Sequence, residues 1–95
     1  MAKTRITVRI AGREYPITSS DSEEYVRRVA RYVDRKISEL SLATRLPALE
    51  CATLAAVTIA DELAKSREEM NRLRAQLEGE RAELAALRRE RGAKA

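Results

Sequence analysis

The sequence lacks most of the residue types from which active sites and metal centres are built. It contains no histidine, tryptophan or phenylalanine, and cysteine occurs once, as Cys51. Zinc, haem and iron–sulfur sites usually need several His or Cys ligands. The sequence also has no glycine-rich phosphate loop, no GxGxxG motif and no nucleophile that could pair with histidine. We therefore predict a protein that is not an enzyme and that needs no metal or cofactor.

Two further absences concern the compartment. One cysteine excludes a framework of disulfides within the chain, and we interpret Cys51 as a small core residue. The sequence contains no run of about 18 apolar residues, the length that a membrane-spanning helix needs. The first ten residues, MAKTRITVRI, lack the apolar segment of a signal peptide. The expected location is the cytoplasm, and no membrane partner or small-molecule substrate is expected.

Charge is distributed unevenly along the 95 residues. Residues 1–47 carry ten Lys or Arg against six Asp or Glu, whereas residues 48–95 carry nine of each, so the net +4 lies in the first half. A chain this short buries little surface by itself. We expect the first half to meet an acidic partner and the second half to pair with another copy of itself.

The first half is predicted to be a small head, residues 1–47. Apolar and polar residues alternate over 4–10, which is typical of a half-buried strand, and the alternation resumes at Tyr15 after the pair Ala11-Gly12. This pattern predicts a β-hairpin over residues 4–18.

A helix is predicted to follow the hairpin over residues 21–40. Ser20 and Glu23 have the spacing of a capping box, and an apolar stripe with three- and four-residue steps follows. Periodicity is lost over 41–47, which predicts a loop ending at Pro47, a residue suited to the first turn of another helix. The fold class is therefore α+β.

The second half, residues 48–95, is predicted to be one long helix. Segment 48–66 is expected to pack in the head and dimer interface, and segment 67–91 to form a coiled-coil tail. A seven-residue apolar repeat runs through both and is interrupted at Ser66, Glu80 and Arg91. The predicted oligomerisation residues are Leu49, Ala52, Ala56, Ile59, Leu63, Met70, Leu73, Leu77, Leu84 and Leu87.

Charges beside this seam favour a parallel pair of chains. In a parallel dimer the facing pairs would be Glu69 with Arg74, Gln76 with Arg81, and Glu83 with Arg88. Two of these three pairs attract, whereas an antiparallel pair would set Glu against Glu and Arg against Arg. Exposed pairs contribute only tenths of a kcal/mol, so they select orientation more than stability.

Three segments resemble the ZapA family of bacterial cell-division proteins: ITVRIAGREYPI at 6–17, YVDRKI at 32–37 and LAAVTIADELAK at 54–65. The resemblance implies a head of hairpin plus helix followed by a long C-terminal helix. It also implies a cytoplasmic protein that binds FtsZ filaments at the mid-cell division site. Parallel dimers would join antiparallel into a homotetramer with heads at both ends, which makes a cross-linker.

The resemblance also implies which residues meet FtsZ. Charged positions just after the hairpin glycine and around the inter-helix loop correspond to Arg13, Arg45 and Glu50. Where some relatives carry another basic residue in the second strand, this sequence has proline, so Arg5 and Arg9 are candidates to replace it.

The alternative from another class is a dimeric DNA-binding protein of the ribbon and helix type. The calculated pI of about 9.6 and the order strand, helix, helix favour it. Ribbon proteins pair one strand across a dimer, whereas Ala11-Gly12 lets the first strand pair within its own chain. A basic leucine zipper would need basic residues before the seam, whereas residues 48–63 are apolar. Steep salt dependence of duplex binding would favour this alternative.

Overall fold

The computed structural model describes residues 2–93. Its elements in chain order are β1 (Thr4–Ile10), β2 (Arg13–Ser19), α1 (Glu23–Thr44) and α2 (Ala48–Ala93). The two strands form one antiparallel sheet. The predicted α+β class, a hairpin and helix followed by a long helix, is confirmed.

The hairpin closes through a two-residue turn that needs left-handed backbone. Ile10 lies opposite Arg13, and the residues between them, Ala11 and Gly12, have φ of 53° and 78°. Positive φ at both positions matches the strand twist, but an alanine there costs roughly 1–2 kcal/mol. The carboxylate of Asp34 on α1 accepts a hydrogen bond of 2.8 Å from Ala11 N. This bond holds the turn against the helix.

Strand register explains how β2 accommodates a proline. Ile10 and Arg13 flank a two-residue turn and therefore form a hydrogen-bonded pair, and bonded and non-bonded pairs alternate from there. Pro16 lies opposite Thr7, which is a non-bonded position, so its missing amide removes no ladder bond. On the outer edge of β1, Thr7 O accepts from Arg27 Nη1 at 3.2 Å. Both outer edges of the hairpin are therefore less able to pair with a further strand, because Pro16 lacks an amide donor on one edge and Arg27 occupies a carbonyl on the other.

The start of α1 differs from the prediction. Helix 21–40 was expected to be capped by Ser20, but the N-cap is Ser22 and the helix begins at Glu23. Ser22 Oγ accepts from Tyr25 N at 3.2 Å, and Ser22 O accepts from Val26 N at 3.1 Å. The capping box is wrong because Glu23 is the first helical residue rather than the third, where its carboxylate would reach back.

The end of α1 also differs. The loop predicted over 41–47 is reduced to residues 45–47, because the helix continues to Thr44. Arg45 adopts a left-handed conformation with φ of 56°, and its amide donates to Ser41 O at 3.1 Å. Residues 41–44 are exposed, so they show no apolar periodicity although they are helical.

The core is thin. Among residues 2–93, six apolar residues are buried: Ile6, Val8, Val26, Ala30, Cys51 and Ala55. The first four form one cluster between β1 and α1, with Ile10 and Ile17 packed partly against it. No large aromatic side chain contributes to this core, so a single chain gains little from burial.

The chain divides into two compact units, one up to Ile59 and one from Ala60 on. The first contains the hairpin, α1 and the first turns of α2, and the second is the remainder of α2. Across residues 2–93, no single helix is both long and apolar enough to cross a membrane, and α1 with α2 passes that test only as a bent pair.

Candidate interaction surfaces

The five charged residues predicted to meet FtsZ do not share one face of the hairpin. Directly opposed residues of an antiparallel pair lie on the same face. Arg13 is opposite Ile10 and therefore lies on the side that faces α1, together with the buried Val8. Arg5 and Arg9 alternate with these residues along β1 and lie on the other side.

Arg13 borders an apolar groove of about 660 Å³, which we call the hairpin groove. Its walls come from the hairpin, from α1 and from the first turn of α2. The lining residues are Ile10, Ala11, Arg13, Tyr15, Ile17, Ile37, Ala48, Leu49 and Ala52. The groove therefore brings the arginine after the hairpin turn next to the start of the predicted seam.

The inter-helix turn lies beside the same groove. Glu50 lines a neighbouring recess of about 370 Å³ with Leu46, Leu49, Thr53 and Leu54. Leu49 lines both cavities and is 78% exposed. Arg45 directly precedes Leu46. The structure thus places Arg13 and Glu50 beside one exposed leucine, while Arg45 only precedes Leu46 of the second recess.

The charges of the five residues are not equally available. Arg9 pairs across the sheet with Glu14 at 4.0 Å, an exposed contact that contributes about 0–1 kcal/mol. Arg5 lies opposite Thr18, towards the open end of the hairpin. Within residues 2–93, Arg13 and Arg45 form no ion pair.

The predicted oligomerisation residues form an unshielded apolar seam along α2. Ile59 is half-buried, and the other nine are exposed. They are Leu49, Ala52, Ala56, Leu63, Met70, Leu73, Leu77, Leu84 and Leu87. A regular apolar stripe of this length in water is typical of a helix that pairs with another helix.

The first turns of α2 carry apolar residues on more than one side. Cys51 and Ala55, one turn apart, are each 1% exposed and face the rest of the first unit. Leu54 and Val57 point elsewhere, and Val57 is 61% exposed. In the single chain, therefore, segment 48–66 is buried on the side of Cys51 and Ala55, and its other apolar residues are exposed or half-buried.

Two residues that position these surfaces were missed from sequence. Asp34 holds the hairpin turn through Ala11 N, and Arg27 reaches Thr7 O on β1 while pairing with Glu23 at 3.1 Å. From sequence, Arg27 lies away from the apolar stripe of α1, a position that predicts a solvent-facing residue. The signal for Asp34 was available, since it lies at the centre of the YVDRKI segment at 32–37.

Among residues 2–93, no three His, Cys, Asp or Glu side chains are placed to hold a metal ion. A hydrogen bond from Lys65 Nζ to Asp61 Oδ2, 2.9 Å long, together with the carboxylate charge raises the pKa of Lys65 above its ordinary value. This pair is solvent-exposed and joins successive turns of one helix, so it stabilises α2 locally.

These features define a class: a small α+β protein whose long helix carries an unshielded heptad seam, with Arg13 and Glu50 beside the start of that seam. A family profile described as "Cell division protein ZapA" matches residues 6–91. The match covers more than half of the chain, so the chain belongs to the ZapA family of cell-division proteins.

Individual relatives agree with this membership. The chain is 45% identical over 80 residues to the cell division protein ZapA of Geobacillus kaustophilus, covering 83% of this chain and 88% of that protein. It is 39% identical over 79 residues to the Shouchella clausii protein of the same name, covering 82% and 92%. A solved structure described as a ZapA mutant dimer from Geobacillus stearothermophilus has a TM-score of 0.68 and 43% identity, covering 82% of this chain and 92% of that one.

Proposed function

We propose that this protein binds FtsZ and cross-links its filaments at the cytoplasmic division ring, as an oligomeric scaffold without catalytic activity. The observation that carries the proposal is the exposed seam of α2, which one chain leaves in water. A second copy would cover it, and several copies would place several FtsZ-binding heads in one particle. Multiple heads bind a filament with more avidity than one head.

The oligomer in this proposal is a parallel coiled-coil dimer, and two dimers associate antiparallel into a tetramer. The parallel orientation is supported by the facing charges Glu69 with Arg74 and Glu83 with Arg88. A homologous protein solved as a dimer supports self-association of this chain. Segment 48–66 would serve the head and dimer interface, and segment 67–91 the tail.

The FtsZ-binding surface in this proposal centres on Arg13, Arg45 and Glu50. The support for Arg13 and Glu50 is that each lines a cavity with Leu49. The support for Arg45 is its place beside Leu46, and neither Arg13 nor Arg45 forms an ion pair within residues 2–93. Arg9 and Arg5 are weaker candidates, because they occupy the opposite face of the hairpin and Arg9 already has Glu14 as a partner.

Co-sedimentation with polymerised FtsZ tests the binding surface. Arg13→Glu should reduce the fraction of chain that pellets with filaments by about tenfold, because it replaces attraction with repulsion at the contact. The matched control is Arg72→Glu, an exposed arginine on the second unit. Equal pelleting of Arg13→Glu and the unmodified chain would contradict the assignment.

Truncation after Ser66 tests the cross-linking. The shortened chain should keep some FtsZ binding while losing filament bundles in electron micrographs, because the tail separates the heads. Bundling by a truncated chain that stays dimeric would show that the tail is not the spacer.

A further inference from the structure

A row of arginines on the outward side of α1 has no role in the surfaces described above. Arg28, Arg31 and Arg35 follow each other at three- and four-residue steps and lie opposite the buried Val26 and Ala30. All three are exposed. We call this row the arginine ridge.

Two tyrosines orient the ridge. The guanidinium of Arg28 lies 5.5 Å from the ring centre of Tyr25, and that of Arg35 lies 5.3 Å from the ring centre of Tyr32. Stacking of this kind holds a long side chain in place and lowers the entropy lost when it binds. Tyr25 is itself 46% exposed and offers apolar contact area beside the charges. Arginine next to tyrosine is also the combination enriched in binding sites between proteins.

Arg31 joins two recesses. It lines an open recess of about 440 Å³ with Arg28 and Arg35, and a second one of about 190 Å³ with Arg9 and Arg27. Arg31 forms no ion pair within residues 2–93. The ridge therefore extends to the outer edge of β1, where Arg9 and Arg27 are paired with Glu14 and Glu23. The larger recess also includes Asp34, whose carboxylate accepts from Ala11 N, whereas Arg31 has no carboxylate partner among the described residues.

We propose that the arginine ridge docks an extended acidic peptide segment of a partner protein. Each guanidinium can donate two parallel hydrogen bonds to one carboxylate, which gives geometric selectivity as well as charge attraction. The seven-residue step from Arg28 to Arg35 rises about 10 Å along the helix. Three or four residues of extended peptide span that length, so two carboxylates of one short segment can reach two arginines.

Negative residues at the two ends of the ridge favour a peptide over nucleic acid. Glu24 precedes Arg28 by one turn on the same side of α1, and Glu39 follows Arg35 by one turn, with Arg35 Nε 3.9 Å from its carboxylate. Duplex DNA carries one charge per about 1.7 Å and extends past both ends of the ridge. Its phosphates would face these two glutamates, whereas a short acidic segment fits between them.

Fluorescence anisotropy tests the proposal with the full chain and a short fluorescein-labelled peptide of alternating Glu and Ser. The unmodified chain should bind the peptide, with affinity that falls as salt is raised. Arg28→Glu/Arg31→Glu should weaken binding by at least about tenfold, because two attractive contacts become repulsive. Neither arginine forms an ion pair within residues 2–93, and circular dichroism verifies that the helix content is retained.

The control is Arg72→Glu/Arg89→Glu, which makes the same change of net charge on α2. It should alter the affinity less than about twofold, since screening over a Debye length hides distant charges. Equal losses in the two variants would overturn the proposal, because binding would then follow net charge alone. Tighter, ridge-dependent binding of a duplex oligonucleotide or of phosphatidylserine vesicles would also overturn it. The assay contains no FtsZ, so its outcome is independent of the proposed function.

Discussion

At the scale of single residues, Asp34 has the most consequential contact outside the core. Its carboxylate satisfies the amide of Ala11, a residue in left-handed conformation that is costly without glycine. Because the bond joins positions 23 residues apart, it fixes the hairpin turn to α1 and with it the neighbouring Arg13. Asp34 is thus a positioning residue for the proposed FtsZ contact.

We expect Asp34→Ala to lower the free energy of unfolding by about 1 kcal/mol, the usual cost of a lost hydrogen bond at a partly exposed site. Urea unfolding at fixed chain concentration measures this, since oligomer stability depends on concentration. The control Asp61→Ala removes an exposed ion pair on α2 and should cost less than about 0.5 kcal/mol. A loss no larger for Asp34→Ala than for Asp61→Ala would show that the turn needs no tether.

Two glycines have opposite roles at the scale of elements. Gly12 has φ of +78°, with nothing within 4 Å of an added Cβ, so an alanine there meets backbone strain alone. Gly79 lies inside α2, where an added Cβ also meets nothing within 4 Å. Gly12→Ala should therefore destabilise the fold by about 1 kcal/mol, and Gly79→Ala should stabilise it by a similar amount. Thermal unfolding compares the two variants, and shifts of the same sign would contradict this account.

The seam of α2 is the second feature to test at this scale. Leu73→Glu/Leu77→Glu places charge in the seam and should reduce self-association strongly, because two carboxylates per chain would be buried at the interface. Ala75→Glu/Ala82→Glu adds the same charge on the outward side of the helix and should leave association nearly unchanged. Size-exclusion chromatography with light scattering measures both. Similar masses for the two double variants would mean that helix pairing uses another face.

The order and type of elements could be predicted from the sequence because their signals are local. Alternation with period two marked the hairpin, and a repeat of seven marked α2. The predicted ends of α1 were wrong because the residues at both ends are polar or exposed and carry no apolar periodicity. The exposed last turn of α1 carries no periodicity. Three serines, Ser19, Ser20 and Ser22, precede the helix, and only Ser22 accepts from an amide of the helix itself. Local pattern does not distinguish these candidates.

The candidate surfaces could be predicted only in part. The seam follows from spacing alone, since every member lies on one helix. Arg13 and Arg9 lie on opposite faces of the hairpin, and this placement depends on the strand register and the turn type. The sequence predicts the hairpin and its two-residue turn, but the face of each arginine follows only once the register is known. The partners of Asp34 and Arg27 depend on how α1 packs on β1, a tertiary arrangement that no local pattern encodes.

At the scale of the whole molecule, one chain does not bury all of the apolar surface that its sequence carries. Six small or medium apolar residues are buried among residues 2–93, whereas nine of the ten seam residues are exposed. Burying one large aliphatic side chain contributes about 1.5–3 kcal/mol, so covering the seam leucines would outweigh the cost of association. Folding and self-association should therefore be coupled.

The measurement that tests this claim most directly is the mass of the unmodified chain in solution by sedimentation equilibrium, at micromolar concentration, with circular dichroism on the same sample. We expect a helical particle with at least twice the chain mass of 10.7 kDa. A stable, folded and helical particle of a single chain would contradict the account, because the seam would then be tolerated in water and would supply no reason for assembly.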